Sequence, residues 1–83
     1  MAPVTVRVRL SGPLAASLGA RRAVGMDDGA TVHDLLTEIV REAGVDGCHA
    51  DSLAAVAGGT FLPRSSRLAD GDELDVLVPV AGG

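Results

Sequence analysis

An α+β fold, with one main helix crossing a mixed sheet of about five strands, is what this 83-residue sequence predicts, and three observations predict it. Val4, Val6, Val8 and Leu10 alternate with Thr5, Arg7 and Arg9, a period of two that sends one face of a strand into a core and the other into water. Val32, Leu35, Leu36, Ile39, Val40 and Ala43 then recur at spacings of three and four, the apolar stripe of an amphipathic helix that must lie on something flat and apolar. After that helix come further strand-like runs separated by glycine- and aspartate-rich turns.

Gly12-Pro13 breaks the first strand, and Pro13 to Leu18 has the length of a short helical turn closed by Gly19. A second strand runs from Arg21 to Met26, and Asp27-Asp28-Gly29 turns the chain. Thr31 is the helix cap, with Asp34 three residues on in a variant of the capping box, and Gly44 is the stop. Residues 45–52 read as a loop. Leu53 to Ala57 and Thr60 to Leu62 flank Gly58-Gly59, the pattern of a tight hairpin. Pro63 ends that strand, and Pro63 to Arg67 is expected on the surface. Ala69-Asp70-Gly71-Asp72 is a turn, followed by a last strand from Glu73 to Val78 with Leu74, Val76 and Val78 facing inward. Its outward Glu73 and Asp75 are opposite in sign to Arg7 and Arg9, so the two strands pair their charges if they are neighbours. A hairpin, a helix that crosses the sheet and a strand that returns beside the first make the β-grasp arrangement.

Composition removes several functional classes. With 47% hydrophobic and 22% charged residues the chain is globular, and with Phe61 as its sole aromatic the core is built from Val, Leu, Ile and Ala. One cysteine, Cys48, makes no internal disulfide and holds no iron–sulfur cluster or structural zinc alone, and His33 and His49 have no ligand spacing. No nucleophile and base stand at usable spacing, so an enzyme in its own right is not expected. The net charge of −4 is unevenly placed, with four Arg and no acid in residues 1–26 and three Arg against eleven acids in 27–83; the acidic body and the missing aromatic platform argue against nucleic acid and for a protein partner with a basic surface. No apolar run is long enough for a bilayer and no secretory start is present, so no membrane partner and a cytoplasmic location are expected.

The last residues are Val80-Ala81-Gly82-Gly83. Residues 1–78 are expected to form the β-grasp domain and 79–83 a flexible C-terminal tail. Two glycines without Cβ atoms pass through a channel too narrow for other residues, which fits a tail that is inserted into another protein. A free carboxylate is a poor electrophile. Such a tail becomes reactive only when a partner activates it, most simply by adenylation with ATP. The chain contains no Lys, hence no side-chain amine that its own activated end would acylate.

Gly29-Ala30-Thr31-Val32-His33-Asp34-Leu35-Leu36 resembles the G-x-T-V-x-x-L-L helix start of the MoaD/ThiS family of ubiquitin-like sulfur carriers. Leu68-Ala69-Asp70-Gly71-Asp72-Glu73-Leu74 resembles its L-x-D-G-D-E-V turn, and Val78-Pro79-Val80-Ala81-Gly82-Gly83 is similar to the P-P-V-x-G-G ending of the molybdopterin synthase small subunit. The resemblance implies a ubiquitin-like β-grasp fold and a sulfur carrier, most like that small subunit. The Gly83 carboxylate would be adenylated by a ubiquitin-activating-type enzyme, converted to a thiocarboxylate, and used to donate sulfur in molybdopterin biosynthesis. The resemblance also implies that the chain itself binds no cofactor and that ATP is used by the activating partner. The second partner implied is a sulfur-accepting synthase, the large subunit of molybdopterin synthase or an equivalent. Gly83 and Gly82 are the reactive-end residues, with Phe61, Leu77, Val80 and Ala81 the candidates for partner binding. Leu62-Pro63-Arg64-Ser65 is similar to the V-P-R-S of thiamine-type carriers, and V-A-G-G endings occur in carriers serving cysteine synthesis. A carrier for thiamine, cysteine or secondary-metabolite biosynthesis, and a ubiquitin-like protein modifier, therefore stay open.

Overall fold

The computed structural model describes residues 3–44 and 49–78. Cys48, Val80, Ala81, Gly82 and Gly83, and with them the predicted 79–83 tail, lie outside the described residues. Five strands form one mixed sheet: β1 (Val4–Arg9), β2 (Arg21–Met26), β3 (Ala54–Ala57), β4 (Thr60–Phe61) and β5 (Glu73–Leu77), in the spatial order β2-β1-β5-β3-β4. β1 and β5 are parallel at the centre, and the remaining neighbours are antiparallel. α1 (Gly12–Leu18) occupies the β1–β2 connection, and α2 (Val32–Ala43) crosses one face of the sheet. The sequence expectation of a turn at Pro13 to Leu18 is thus met by a seven-residue α-helix.

The core lies between α2 and the inward side chains of the sheet. Val6, Val8, Val76, Leu35, Leu36 and Ile39 are buried there, with Val78 half-buried against the cluster. Each fully buried aliphatic side chain contributes about 1.5–3 kcal/mol of transfer free energy, which is what sets the helix on the sheet. Between β3 and β4, Gly58 and Gly59 have φ of +56° and +82°, the left-handed pair that a two-residue hairpin turn requires and that only Gly supplies cheaply.

The start of α2 explains the segment expected to be mere surface. A helix leaves its first N–H groups without internal acceptors. Here the Val32 N–H donates to the Ser66 carbonyl at 2.9 Å and the His33 N–H to the Arg64 carbonyl at 3.0 Å. The Asp34 N–H donates to Thr31 Oγ1, while the Asp34 carboxylate accepts from the Thr31 N–H in return. Pro63 to Arg67 is therefore a clasp over the helix start. Arg64 is half-buried and donates through Nη2 to the carbonyls of Asp51 and Leu53 at 2.9 and 2.8 Å, fixing that clasp to the approach to β3.

The Asp-Gly turn has an equally specific task. Asp70 accepts from the Thr5 N–H at 2.8 Å, the Gly71 N–H donates to the Thr5 carbonyl, and the Arg7 N–H donates to the Asp72 carbonyl. The turn thereby continues the β1–β5 ladder before β5 begins, and its second acid, Asp72, holds the turn closed by accepting from the Ala69 N–H. These bonds set where β5 starts, and hence where Leu77 and the chain beyond it leave the sheet.

Candidate functional site

The face of the sheet turned away from α2 is exposed, and strand register decides what it presents. Because β3 and β4 are joined by two residues, Ala57 pairs with Thr60 and Val56 with Phe61. Val56 also pairs with Asp75, Asp75 with Arg9, and Arg9 with Arg21. One lateral row therefore runs Phe61, Val56, Asp75, Arg9, Arg21 across all five strands. In the next outward position along, Ala54 pairs with Leu77.

Phe61 and Leu77 stand out in burial. Phe61 is 69% exposed and Leu77 39% exposed, and they are the exposed large hydrophobic side chains among the described residues. Both lie on this outer face with Ala54 and Val56 between them, at the end of the sheet from which the chain continues past Val78 toward residues 79–83. Phe61, a partner-binding candidate from the sequence, pairs with Val56 on the edge strand β4, and that register turns it to the outer face and into water. Val56 and Ala54 were missed as patch members, although the Gly58-Gly59 turn length already implied the Val56–Phe61 pairing.

The other half of the row is ionic. Arg9 Nε and Nη2 donate to the two Asp75 oxygens at 2.5 and 3.0 Å, and the hydrogen bond and charge of Asp75 hold the Arg9 guanidinium above its ordinary pKa. Arg7 lies 3.9 Å from Glu73 with both side chains well exposed. The charge pairing expected from the sequence is thus formed across the parallel β1–β5 pair, although solvent screens exposed pairs of this kind and leaves them little weight in stability. A shallow concavity of about 560 Å³ opens over this part of the sheet, with Arg9, Arg21, Val56, Gly58 and Asp75 among its walls.

Other chemistry is sparse. Among the described residues no three His, Cys, Asp or Glu side chains gather as a metal site, and no helix is long and apolar enough to cross a membrane. His33 lies in the first turn of α2 and His49 before the 3-10 turn at Ala50–Ser52, with no shared partner. The arrangement presents two exposed apolar side chains, Phe61 and Leu77, on the outer face of the sheet, and the candidate residues Val80, Ala81, Gly82 and Gly83 lie outside the described residues.

The model of the ThiS family matches residues 8–83 of the chain, through the final Gly-Gly. Among solved structures, small archaeal modifier protein 1 of Haloferax volcanii is 27% identical, with 93% of this chain and 99% of that one covered and a TM-score of 0.72. A candidate molybdopterin converting factor subunit 1 from Pyrococcus furiosus is 24% identical over 93% of this chain and 99% of that one, with a TM-score of 0.73. A ubiquitin of Caldiarchaeum subterraneum is 16% identical over 99% and 100%, with a TM-score of 0.71. The last two likenesses bear on the fold, which is that of the ubiquitin-like β-grasp proteins. No curated protein matches the chain.

Proposed function

The chain belongs to the ThiS family, and from that premise we propose that it is a sulfur carrier whose reactive group is the Gly83 carboxylate. The observation that carries this reading is that the family match extends to residue 83 while an exposed apolar patch, Phe61 with Leu77, lies where the chain leaves the sheet. A carrier needs a surface by which other proteins hold it and an end slim enough to enter their active sites; Gly82 and Gly83 suit the second need.

The chemistry is supplied by partners. A carboxylate oxygen of Gly83 attacks the α-phosphorus of ATP in a ubiquitin-activating-type enzyme, pyrophosphate leaves, and an acyl-adenylate forms. Hydrosulfide then adds to the carbonyl carbon and AMP departs with the former carboxylate oxygen, leaving a thiocarboxylate and one proton, with no change in oxidation state. That sulfur is passed to an acceptor in a second enzyme. The assignment of that enzyme as the large subunit of molybdopterin synthase rests on the ending Val78-Pro79-Val80-Ala81-Gly82-Gly83. Carriers for thiamine, cysteine or secondary-metabolite synthesis use the same end chemistry and differ in the acceptor.

Incubating the chain with the adenylating enzyme of the same organism, ATP and sulfide should raise its intact mass by the difference between sulfur and oxygen. Deleting Gly83 should abolish the rise. An unchanged mass in the full chain would sink the sulfur-carrier reading. A second reading, a protein modifier that forms isopeptide bonds to target lysines, is favoured by the 27% identity to the archaeal modifier protein. Covalent ladders on denaturing gels in place of a thiocarboxylate would select it, and co-purification with a sulfur-accepting synthase would select the carrier.

A further inference from the structure

The strands β1, β2 and β5 carry a charge balance on their outer face opposite to that of the molecule. Arg7, Arg9 and Arg21 stand there against Glu73 and Asp75, with Asp70 in the turn beside Thr5 and Arg7, in a chain with a net charge of −4. Arg9 and Arg21 are directly opposite each other across β1 and β2. Like charges in that position destabilise a sheet. Asp75 commits both oxygens to Arg9, and Glu73 faces Arg7, so Arg21 forms no ion pair among the described residues. Folding would be served better by a neutral residue at position 21. Arg9, Arg21 and Val56 line the concavity of about 560 Å³ together with the two acids, Glu73 and Asp75, that face Arg7 and Arg9.

Resting on the reading that a partner holds the carrier by this face, we propose that the concavity receives an acidic segment of the adenylating enzyme, with a carboxylate between Arg9 and Arg21 and an apolar side chain against Val56 and Phe61. The dimensions fit. From β2 to β4 the row crosses four strand spacings, about 19 Å, which an extended segment of about six residues spans. The partner chemistry is thus acidic at the docking face, the reverse of what the net charge alone predicts. The acidic remainder of the molecule, including the exposed Asp27 and Asp28 in the turn before α2, repels the same segment elsewhere and so fixes orientation.

The test is direct binding of the chain to the purified adenylating enzyme of the same organism, at low and high salt, with folding checked by urea unfolding. Arg21→Glu should weaken binding about tenfold, chiefly by slowing association, and should flatten its salt dependence. Arg67→Glu, the same change in net charge on the helix side, should leave binding unchanged. Arg21→Glu should not lower the urea midpoint, because it replaces a like-charge pair with an opposite one. Binding by the Arg21→Glu chain as tight as that of Arg67→Glu overturns the proposal even if the wild-type chain acquires sulfur. Conversely, Arg21-dependent binding without sulfur acquisition overturns the carrier reading and leaves this docking surface standing. No binding by the wild-type chain overturns the docking surface.

Discussion

Phe61 and Leu36 are large apolar residues whose fates differ because of a single structural fact, the side of the sheet each one faces. Leu36 is 1% exposed in the core, whereas Phe61 is 69% exposed on the outer face. Truncating Leu36 to Ala should cost about 2–5 kcal/mol, since the lost transfer energy is joined by a cavity. Phe61→Ala should change stability by less than about 0.5 kcal/mol, as expected of a surface position. If Phe61 is the anchor of the docking face, the same change should cost about 2 kcal/mol of binding to the adenylating enzyme, roughly a thirtyfold rise in Kd. Urea midpoints and binding isotherms of the two variants test this together; a large drop in stability for Phe61→Ala would mark it as a packing residue. Leu36 was legible from helical spacing alone. Phe61 was not, because a run of three residues beside Gly58-Gly59 fixes a pairing but leaves the choice of face to the neighbouring strand.

At the scale of elements, α2 shows how far a local pattern reaches. Thr31 and Asp34 form the capping box that their spacing implies, and Gly44 ends the helix at φ +60° with its N–H donated to the Val40 carbonyl. The clasp formed by Ser66 and Arg64 was invisible for a physical reason: the acceptors are backbone carbonyls from a segment more than thirty residues away, and a carbonyl has no sequence signature. Arg64 is the side chain that makes the clasp stiff, and it bonds two further carbonyls. Arg64→Met, which keeps the aliphatic stem, should therefore destabilise by about 1.5–3 kcal/mol, the range for hydrogen bonds to charged groups. Thr31→Ala should cost about 1 kcal/mol through the lost cap. Since both act on the same helix end, the double variant should depart from additivity by about 0.5 kcal/mol or more. Denaturant unfolding of the four chains closes that cycle, and strict additivity would mean that clasp and cap stabilise the helix independently.

For the whole molecule, topology separates the part that folds from the part proposed to react. β5 lies between β1 and β3 and delivers the chain to the edge of the outer face, while the buried core side chains among the described residues run from Val4 to Val76. The order of elements made this arrangement legible, because a strand returning beside the first has few other ways to close the sheet. The gathering of four Arg and no acid in residues 1–26 was legible as well, but the face that carries them was not, since only the sheet register separates one face from the other. A chain of 83 residues has a stability of about 4–12 kcal/mol, so even 1 kcal/mol from the last five residues would be measurable as a shift of about 4–8 °C in melting temperature. With the core closed by Val76, removal of residues 79–83 should shift the melting temperature by less than about 4 °C. Docking through Phe61, Leu77 and Arg21 should survive that truncation, with binding to the adenylating enzyme weakened but still sensitive to salt and to Arg21→Glu. Sulfur acquisition should be lost altogether. Calorimetry, binding and intact mass on the one truncated chain measure the three quantities separately; a collapse of the melting temperature would show that residues 79–83 belong to the fold, and the division between a docking body and a reacting end would then fail.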